Sequence, residues 1–233
     1  MDRLDEVAQS LLQAQHKAEA LFAAVVSEGL IQPGKLESEL SADIHALAQS
    51  HFGVRRHWHK RVVRAGPNTL LTYYDEGVDR RIADDDIVYL DFGPLFEAWE
   101  ADFGRTYALG NDPDKHRLIG DLATAFDRGK KLYQDMDTLT AGQLYDFVAA
   151  EATQYGWEFG AVTAGHLIGH FPHEHSPEQK RFSIRHGNSL SLREPDDAGR
   201  ARHWILEIHF VDRQRQIGGF FEELLTIDAG SVP

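Results

Sequence analysis

The alternation of apolar and polar positions divides the chain into helix-like and strand-like stretches. Near the N-terminus, apolar residues recur at helical three- and four-residue steps until Gly29: Leu4, Val7, Leu11, Ala18, Phe22 and Val25. A second apolar helical face follows Pro33 and stops near Gly53: Leu36, Leu40, Ile44 and Leu47. Helical spacing returns after Pro113 and again after Thr140, whose hydroxyl suits an N-cap. Four helices are therefore predicted.

Strands are predicted between and after these helices, in residues 54–107 and from Gly156 onward. The first region contains short β-prone runs broken by Gly and Pro: Val62-Val63, Leu70-Leu71, and the run from Ile87 to Leu90. The chain shows no linker, low-complexity tract or internal repeat. The order of helices, strands, helices and strands predicts one α+β domain over residues 1–233.

Composition limits the partners and the chemistry of this domain. The net charge of −13 argues against nucleic acid or an anionic membrane as the main partner. Cysteine is absent, so a metal must be held by His, Asp or Glu. The N-terminus has no apolar signal segment and no apolar run approaches membrane length, so a cytoplasmic protein is expected.

The first candidate site is a pair of carboxylates inside apolar strand-like sequence. If the chain reverses between Phe96 and Glu97, Asp91 lies directly opposite Asp102. Two carboxylates that close together repel each other unless a cation or proton lies between them. The chain has 37 acidic residues, however, so the spacing also fits ordinary surface acids. A cation site and a surface pair both remain open from the spacing alone.

A second pair of carboxylates repeats this pattern near the C-terminus. A hairpin centred between Gln214 and Arg215 places Glu207 opposite Glu222, while Glu223 points to the other face. A glutamate within the apolar run around Glu207 is costly to bury unless it is paired or binds a metal. Four carboxylates match the charge of two divalent cations.

Histidines are concentrated in the segment GHLIGHFPHEH, residues 165–175. His166 and His173 flank a possible tight turn and are candidates for a metal ligand and for a hydrogen-bond donor to substrate. His57 and His59 share one face if their segment is a strand, and a structural role is favoured because no acid is adjacent in sequence. Three other histidines are candidates for supporting the site or for packing: His170, His175 and His209.

In these motifs the chain resembles the pita-bread metallopeptidase family, which includes methionine aminopeptidase, aminopeptidase P and prolidase. Asp91-Phe92-Gly93 and Asp102 with Arg105-Thr106 resemble the D-x-G and D-x-x-R-T block of that family. The segment from Gly165 to Gly169, followed by His173-Glu174, is similar to its G-H-x-I-G and H-E block. Glu207 and Glu222-Glu223 resemble its two closing glutamate strands. The resemblance covers nearly the whole chain.

The resemblance implies a pita-bread fold, with an antiparallel sheet flanked by helices, and a site for two divalent cations. By similarity Asp91 binds one cation, Asp102 and Glu222 bridge both, and His166 and Glu207 complete the other. A hydroxide held between the cations attacks the amide, and Glu207 passes its proton to the leaving nitrogen. By the same similarity, His173 hydrogen-bonds the substrate amide or the tetrahedral intermediate. Manganese is favoured by the oxygen-rich ligands, and cobalt, zinc or iron are alternatives.

Three positions depart from the pattern of the family and leave the substrate pocket open. Thr72 stands where a catalytic-face His is common, Phe220 where an Arg is common, and Ile208 where a Pro is common. Phe220 and Phe221 are candidates for an apolar pocket or for buried core. The chain also has no room for the separate N-terminal domain of the larger relatives, so their homodimer remains open here.

The resemblance favours a small aminopeptidase or dipeptidase of the Xaa-Pro type, acting on a small peptide. Two alternatives remain. One is a creatinase-like hydrolase of a non-peptide amide or amidine, and the other is an inactive pita-bread module that binds proteins. Retention of all five expected ligands argues against both, because such relatives tend to lose them.

Overall fold

The computed structural model describes residues 6–172 and 181–227. It contains the four predicted helices: α1 (Glu6–Ser27), α2 (Glu37–Phe52), α3 (Pro113–Asp135) and α4 (Ala141–Tyr155). Gly53 caps the C-terminus of α2 and has a left-handed φ of 68°. The hydroxyl of Thr140 accepts the amide of Gln143 at the start of α4, so the predicted N-cap is confirmed. No described helix is long and apolar enough to cross a membrane.

The described residues form nine strands, most of which belong to one antiparallel sheet. They are β1 (Val62–Ala65), β2 (Ile87–Phe92), β3 (Leu95–Phe96), β4 (Trp99–Glu100), β5 (Phe103–Ala108), β6 (Glu158–Phe159), β7 (Leu167–Ile168), β8 (His203–Asp212) and β9 (Ile217–Leu224). The order in the sheet is β1-β2-β5-β9-β8-β6, and β7 pairs with the start of β8. Strands β3 and β4 form a separate short hairpin.

The prediction of a strand at Leu70-Leu71 is wrong. Residues Gly66–Leu70 form a 3₁₀ helix with Pro67 in its first turn, and Leu71 follows it outside any strand. Proline has no amide hydrogen for a sheet and favours the first turn of a helix. The hydroxyl of Thr69 also donates to the carbonyl of Gly66 at 2.5 Å, which closes the turn.

The predicted register of the first hairpin is also wrong. The turn lies at Glu97 and Ala98, one residue later than expected, because Phe96 pairs with Trp99 and Glu97 has a left-handed φ of 60°. The same register continues into β2 and β5, where Asp91 pairs with Gly104 and Phe92 pairs with Phe103. Asp102 therefore does not lie directly opposite Asp91. It lies two positions before Gly104, the residue that pairs with Asp91, and on the same face of the sheet.

Buried aromatic rings explain this register. Phe92 and Phe103 both contact the ring of Phe22 on α1, with ring centroids 6.1 and 4.9 Å away. The register predicted from the sequence would have placed Phe92 opposite Ala101 instead of Phe103. The observed register pairs the two rings directly, and both pack on Phe22, which favours it over the predicted one.

Helices cover one face of the sheet, which we call the helix face. Alternate residues of β2 (Val88, Leu90 and Phe92) pack with α1 and α2. Alternate residues of β8 (Leu206, Ile208 and Phe210) pack with α3 and α4. Asp91 and Glu207 occupy the intervening positions and point to the opposite face, which we call the site face.

Candidate metal centre

One row of residues crosses four adjacent strands on the site face. Asp91 of β2 pairs with Gly104 of β5, Gly104 pairs with Glu222 of β9, and Glu222 pairs with Glu207 of β8. The predicted pairing of Glu207 with Glu222 is confirmed. Asp102 precedes β5 and joins the row from the end of the sheet. Four carboxylates therefore surround Gly104, which has no side chain.

Arg105 and Thr106 hold β5 against β9 beside this row. The hydroxyl of Thr106 accepts the amide of Phe220 at 2.7 Å and donates to the carbonyl of the same residue at 2.8 Å. Arg105 donates from Nη1 to the carbonyl of Glu222 at 2.9 Å and pairs with the carboxylate of Glu223. These contacts fix Gly104 opposite Glu222. The D-x-x-R-T motif therefore has a structural role in aligning two carboxylate-bearing strands.

Gly165 allows His166 to lie over β8. It has a φ of 135°, and a Cβ at this position would lie 2.0 Å from the carbonyl oxygen of Ile205. The amide of Glu207 donates to the carbonyl of Ala164 at 3.1 Å, which brings the strand and the glycine segment together. His166 Nε2 lies 3.4 Å from Oε1 of Glu207 as a result.

His166 also contacts Asp102, which links the two carboxylate pairs. Its Nε2 lies 3.2 Å from Oδ2 of Asp102. Its Nδ1 donates to the carbonyl of Leu167 at 2.6 Å. Because a carbonyl only accepts, Nδ1 carries the hydrogen and Nε2 faces the carboxylates.

The carboxylates are buried together, and their pKa values are far from the ordinary range. Burial raises the pKa of Asp91 to about 7, with the charges of Asp102 and Glu207 adding to the effect and His59 opposing it. Burial also raises the pKa of Glu222 well above its usual range, as do Asp102 and Asp91. Burial raises the pKa of Asp102 too, but His59 and His166 outweigh it and lower the value to about 2. Such a cluster favours bound cations or protons.

The donor set fits hard divalent cations. Asp102, His166 and Glu222 each present one ligand atom, and these atoms lie within 4.8 Å of one another. Oε2 of Glu222 is buried and has no hydrogen-bond partner among the described residues, which is costly for a carboxylate oxygen unless a cation lies beside it. Carboxylate oxygen and imidazole nitrogen suit manganese, cobalt, iron and zinc.

His59 belongs to this cluster, although the sequence favoured a structural role for it. Its Nε2 lies 3.0 Å from Oδ1 of Asp102 and 3.6 Å from Oδ1 of Asp91. Residues 57–59 do not form a strand, so the two histidines do not share a face. His57 instead packs against His45 and the ring of Phe92. The alternation of His57 and His59 was the sequence signal, and it did not indicate which ring faces the acids.

The profile of metallopeptidase family M24 matches residues 9–218. The chain belongs to this family. Curated relatives in it include the Xaa-Pro dipeptidase of Lactobacillus helveticus, 26% identical over 178 residues that cover 76% of this chain and 46% of the relative. The Xaa-Pro dipeptidase of Pyrococcus horikoshii is 26% identical over 160 residues, which cover 67% of this chain and 44% of the relative. The chain therefore spans less than half the length of these curated relatives.

Solved structures of family M24 share the fold. Prolidase from Thermococcus sibiricus superposes with a TM-score of 0.76 at 19% identity, over 97% of this chain and 57% of that chain. Methionine aminopeptidase from Rickettsia prowazekii superposes with a TM-score of 0.72 at 17% identity, over 96% of this chain and 94% of that chain. The predicted pita-bread fold of helices and antiparallel sheet is confirmed.

The three departures from the family pattern have different surroundings. The amide and hydroxyl of Thr72 both donate to Oδ2 of Asp75 at 2.8 Å, so this side chain stabilises its own turn. Tyr73, the next residue, contacts the ring of His59 at 5.8 Å between centroids. Ile208 is fully buried on the helix face. A change at Ile208 therefore affects the core before it affects the site.

Phe220 and Phe221 lie on opposite faces of β9. Phe221 packs against Phe126 of α3, with ring centroids 5.0 Å apart, and is part of the core. Phe220 lies on the site face, with its ring 5.5 Å from that of Tyr89 and 6.2 Å from that of His209. Of the two, only Phe220 is placed to border a substrate pocket.

The remaining histidines differ in how closely they approach the site. His209 is buried on the site face, and its Nε2 donates to the carbonyl of Thr69 at 2.9 Å. His170 packs its ring against Trp99, 5.2 Å away, and is exposed. His173 and His175 lie outside the described residues, so their predicted roles remain predictions.

Proposed function

We propose that this chain is a metal-dependent peptidase with two divalent cations, which cleaves the N-terminal bond of Xaa-Pro peptides. The observation that carries the proposal is the meeting of four carboxylates and His166 around Gly104 on the site face. The names of the curated relatives support the substrate class, since they are Xaa-Pro dipeptidases.

The contacts suggest how two cations divide the ligands. Asp91 would bind one cation, while His166 and Glu207 would bind the other. Asp102 and Glu222 would bridge them. The two oxygens of Asp102 face different groups, since Oδ2 lies 3.2 Å from His166 while Oδ1 lies 3.0 Å from His59, which also contacts Asp91. Manganese is the first choice because oxygen ligands predominate.

Held by these residues, two cations would supply a Lewis acid for the scissile carbonyl and a water molecule of lowered pKa. Glu207 would carry the proton to the leaving nitrogen, as the resemblance implies. In the absence of cations, burial raises the pKa of its carboxyl, and His166 opposes this effect. Its side chain is also 17% exposed, whereas that of Asp102 is 3% exposed. A substrate therefore reaches Glu207 and His166 before it reaches Asp102.

His173 would donate a hydrogen bond to the substrate amide or the tetrahedral intermediate, as the resemblance implies. Phe220 and Tyr73 border the site from two sides and are candidates to contact the residues of the peptide. In place of the Arg common in the family, Phe220 offers an apolar surface. We expect this to favour apolar side chains in the substrate.

The test is metal content after loading with manganese, together with hydrolysis of a panel of Xaa-Pro dipeptides and longer peptides. The wild-type chain should bind two ions and cleave the panel. Asp102→Asn keeps the shape of the side chain but removes its charge, so it should lose tight metal binding and turnover together. Asp43→Asn is the control, because Asp43 is exposed and pairs only with Lys35 among the described contacts.

Each result leads to a different conclusion. Wild-type turnover in Asp102→Asn contradicts the two-cation mechanism. If the chain binds two ions and leaves the panel uncleaved while it cleaves another amide or amidine, that result would favour the creatinase-like hydrolase. Failure of the wild-type chain to bind manganese would favour the protein-binding module.

A further inference from the structure

His59 and His166 approach Asp102 in the same way from two sides. His59 Nε2 lies 3.0 Å from Oδ1 of Asp102, and His166 Nε2 lies 3.2 Å from Oδ2. Each ring donates from Nδ1 to the carbonyl of the next residue, at 2.7 Å for His59 and 2.6 Å for His166. Both rings therefore direct Nε2 at the carboxylate.

A hydrogen bond from Nδ1 to a carbonyl is the usual support of a histidine that binds metal through Nε2. It fixes the neutral tautomer and holds the ring in place. His166 is expected to be a ligand by its resemblance to the family. His59 has the same support and the same orientation, but no part of that resemblance includes it.

The position of His59 is fixed from both sides of the first hairpin. The backbone amide of Trp58 donates to the carbonyl of Gly93 at 2.9 Å, and its indole donates to the carbonyl of Ala101 at 2.9 Å. The imidazole of His59 occupies the space beside Gly93, where a Cβ would lie 2.2 Å from its Cδ2. The glycine of the D-F-G motif therefore makes room for this ring.

The distances fit ligands that share one ion. Ligand atoms about 2.1 Å from a cation lie about 3.0 Å apart at right angles and about 3.4 Å apart in a tetrahedron. His59 Nε2 is 3.0 Å from Asp102 Oδ1 and 3.6 Å from Asp91 Oδ1, and the three residues present ligand atoms within 4.8 Å of one another. The side chain of His59 is only 6% exposed, so water competes little for this position.

We propose that His59 is an additional ligand of the cation bound by Asp91, so that each of the two cations has one imidazole. This inference rests on the proposed function, because it requires the two-cation site. Its consequence is a change in metal preference. A nitrogen ligand moves the Asp91 site away from an all-oxygen shell and towards cobalt, iron and zinc.

The test uses the full chain loaded with two equivalents of cobalt(II), studied by proton NMR. Each imidazole bound to cobalt through Nε2 gives one strongly shifted Nδ1–H resonance that disappears in heavy water. The wild-type chain should give two such resonances, and His59→Phe should give one. The affinity for the ion at the Asp91 site should also fall by about 10–100-fold in His59→Phe.

His57→Phe is the matched control, because His57 is two residues away and packs against Phe92 rather than the acids. It should keep both resonances and the wild-type affinity. His59→Gln is a second variant in case the larger ring of Phe disturbs folding, and it should also give one resonance. Circular dichroism confirms that each variant is folded.

The outcomes separate this inference from the proposed function. Two bound cobalt ions with one shifted resonance in the wild-type chain, retained in His59→Phe, would overturn the inference and leave the proposed function intact. Weaker binding with unchanged resonances would show that His59 only positions Asp102, which also overturns it. If the wild-type chain binds no cobalt, the proposed function fails and the inference fails with it.

Discussion

Gly104 lies against the ring of Phe220 on the site face of the sheet. A Cβ at Gly104 would lie 2.5 Å from Cδ1 and 2.6 Å from Cε1 of this ring. Phe220 packs in turn against Tyr89 and His209, with ring centroids 5.5 and 6.2 Å away. These two rings limit how far the ring of Phe220 can move. Glycine keeps the centre of the carboxylate row open.

We expect Gly104→Ala to disturb the metal centre. The added methyl group must displace Phe220 or the carboxylate of Glu222, whose Cβ would be 3.0 Å away. Overpacking of this kind costs about 1–3 kcal/mol of folding stability. Metal affinity, measured by isothermal titration calorimetry, should fall by at least about tenfold, as for other residues that support a ligand.

Gly120→Ala is the control for this substitution. Gly120 is an exposed position of α3, and a Cβ there meets no atom within 4 Å. Alanine should leave metal affinity unchanged and raise stability by up to about 1 kcal/mol, because it favours a helix. Equal metal affinity in Gly104→Ala and Gly120→Ala would contradict the role of Gly104.

Neighbouring glutamates on opposite faces of β9 allow a second comparison. Glu222→Gln should weaken metal binding by more than the roughly 10–100-fold cost of losing a supporting residue. Glu223→Gln should keep metal content, because Glu223 pairs with Arg105 on the helix face. Its unfolding free energy should fall instead, by about 1–3 kcal/mol for a lost charged hydrogen bond.

Metal analysis and thermal unfolding of both glutamine variants decide between the two roles. A large loss of metal in Glu223→Gln would mean that the pair with Arg105 controls the site through the alignment of β5 and β9. Unchanged metal content in Glu222→Gln would remove this residue from the proposed ligands.

His173→Ala should lower turnover while metal content stays near normal. The resemblance gives His173 a hydrogen bond to the substrate or the tetrahedral intermediate, and loss of one such donor costs about 10²–10³-fold in kcat. Steady-state kinetics on an Xaa-Pro dipeptide, with metal analysis of the same sample, checks this. Loss of metal in the variant would assign His173 to the metal centre instead.

His57 should make the protein less stable as pH falls. Burial lowers the pKa of its imidazole to about 3, and the charges of Arg61, His45 and His59 act in the same direction. In the unfolded chain the imidazole takes up a proton near its ordinary pKa of about 6.5. The unfolded state therefore binds more protons than the folded state between pH 6.5 and about 3, and stability is lost across this window.

His57→Phe should remove this contribution. The wild-type chain should lose up to about 1.4 kcal/mol more stability per pH unit below pH 6 than the variant does. Urea unfolding at several pH values between 7 and about 4.5 measures the difference. Identical slopes for the two proteins would mean that His57 titrates normally in the folded chain.

Local pattern was enough for the helices and for one of the two hairpins. Apolar spacing and the cap at Thr140 gave the four helices, because both signals lie within a few residues of the element they describe. The register of Glu207 and Glu222 followed from a polar turn and a strict two-residue alternation in β8 and β9. The same alternation put Asp91 and Asp102 on one face, even though their pairing was wrong by two residues.

The sequence by itself therefore determined the fold class, the family motifs and the face on which each acid lies. Tertiary structure alone decided the row through Gly104 and the choice of His59 over His57. The register of β2 depends on Phe22, some seventy residues earlier in the chain, and the place of His59 depends on Gly93 and Ala101. Contacts between segments so far apart leave no periodic signal along the sequence, since they arise only when the packed core brings those segments together.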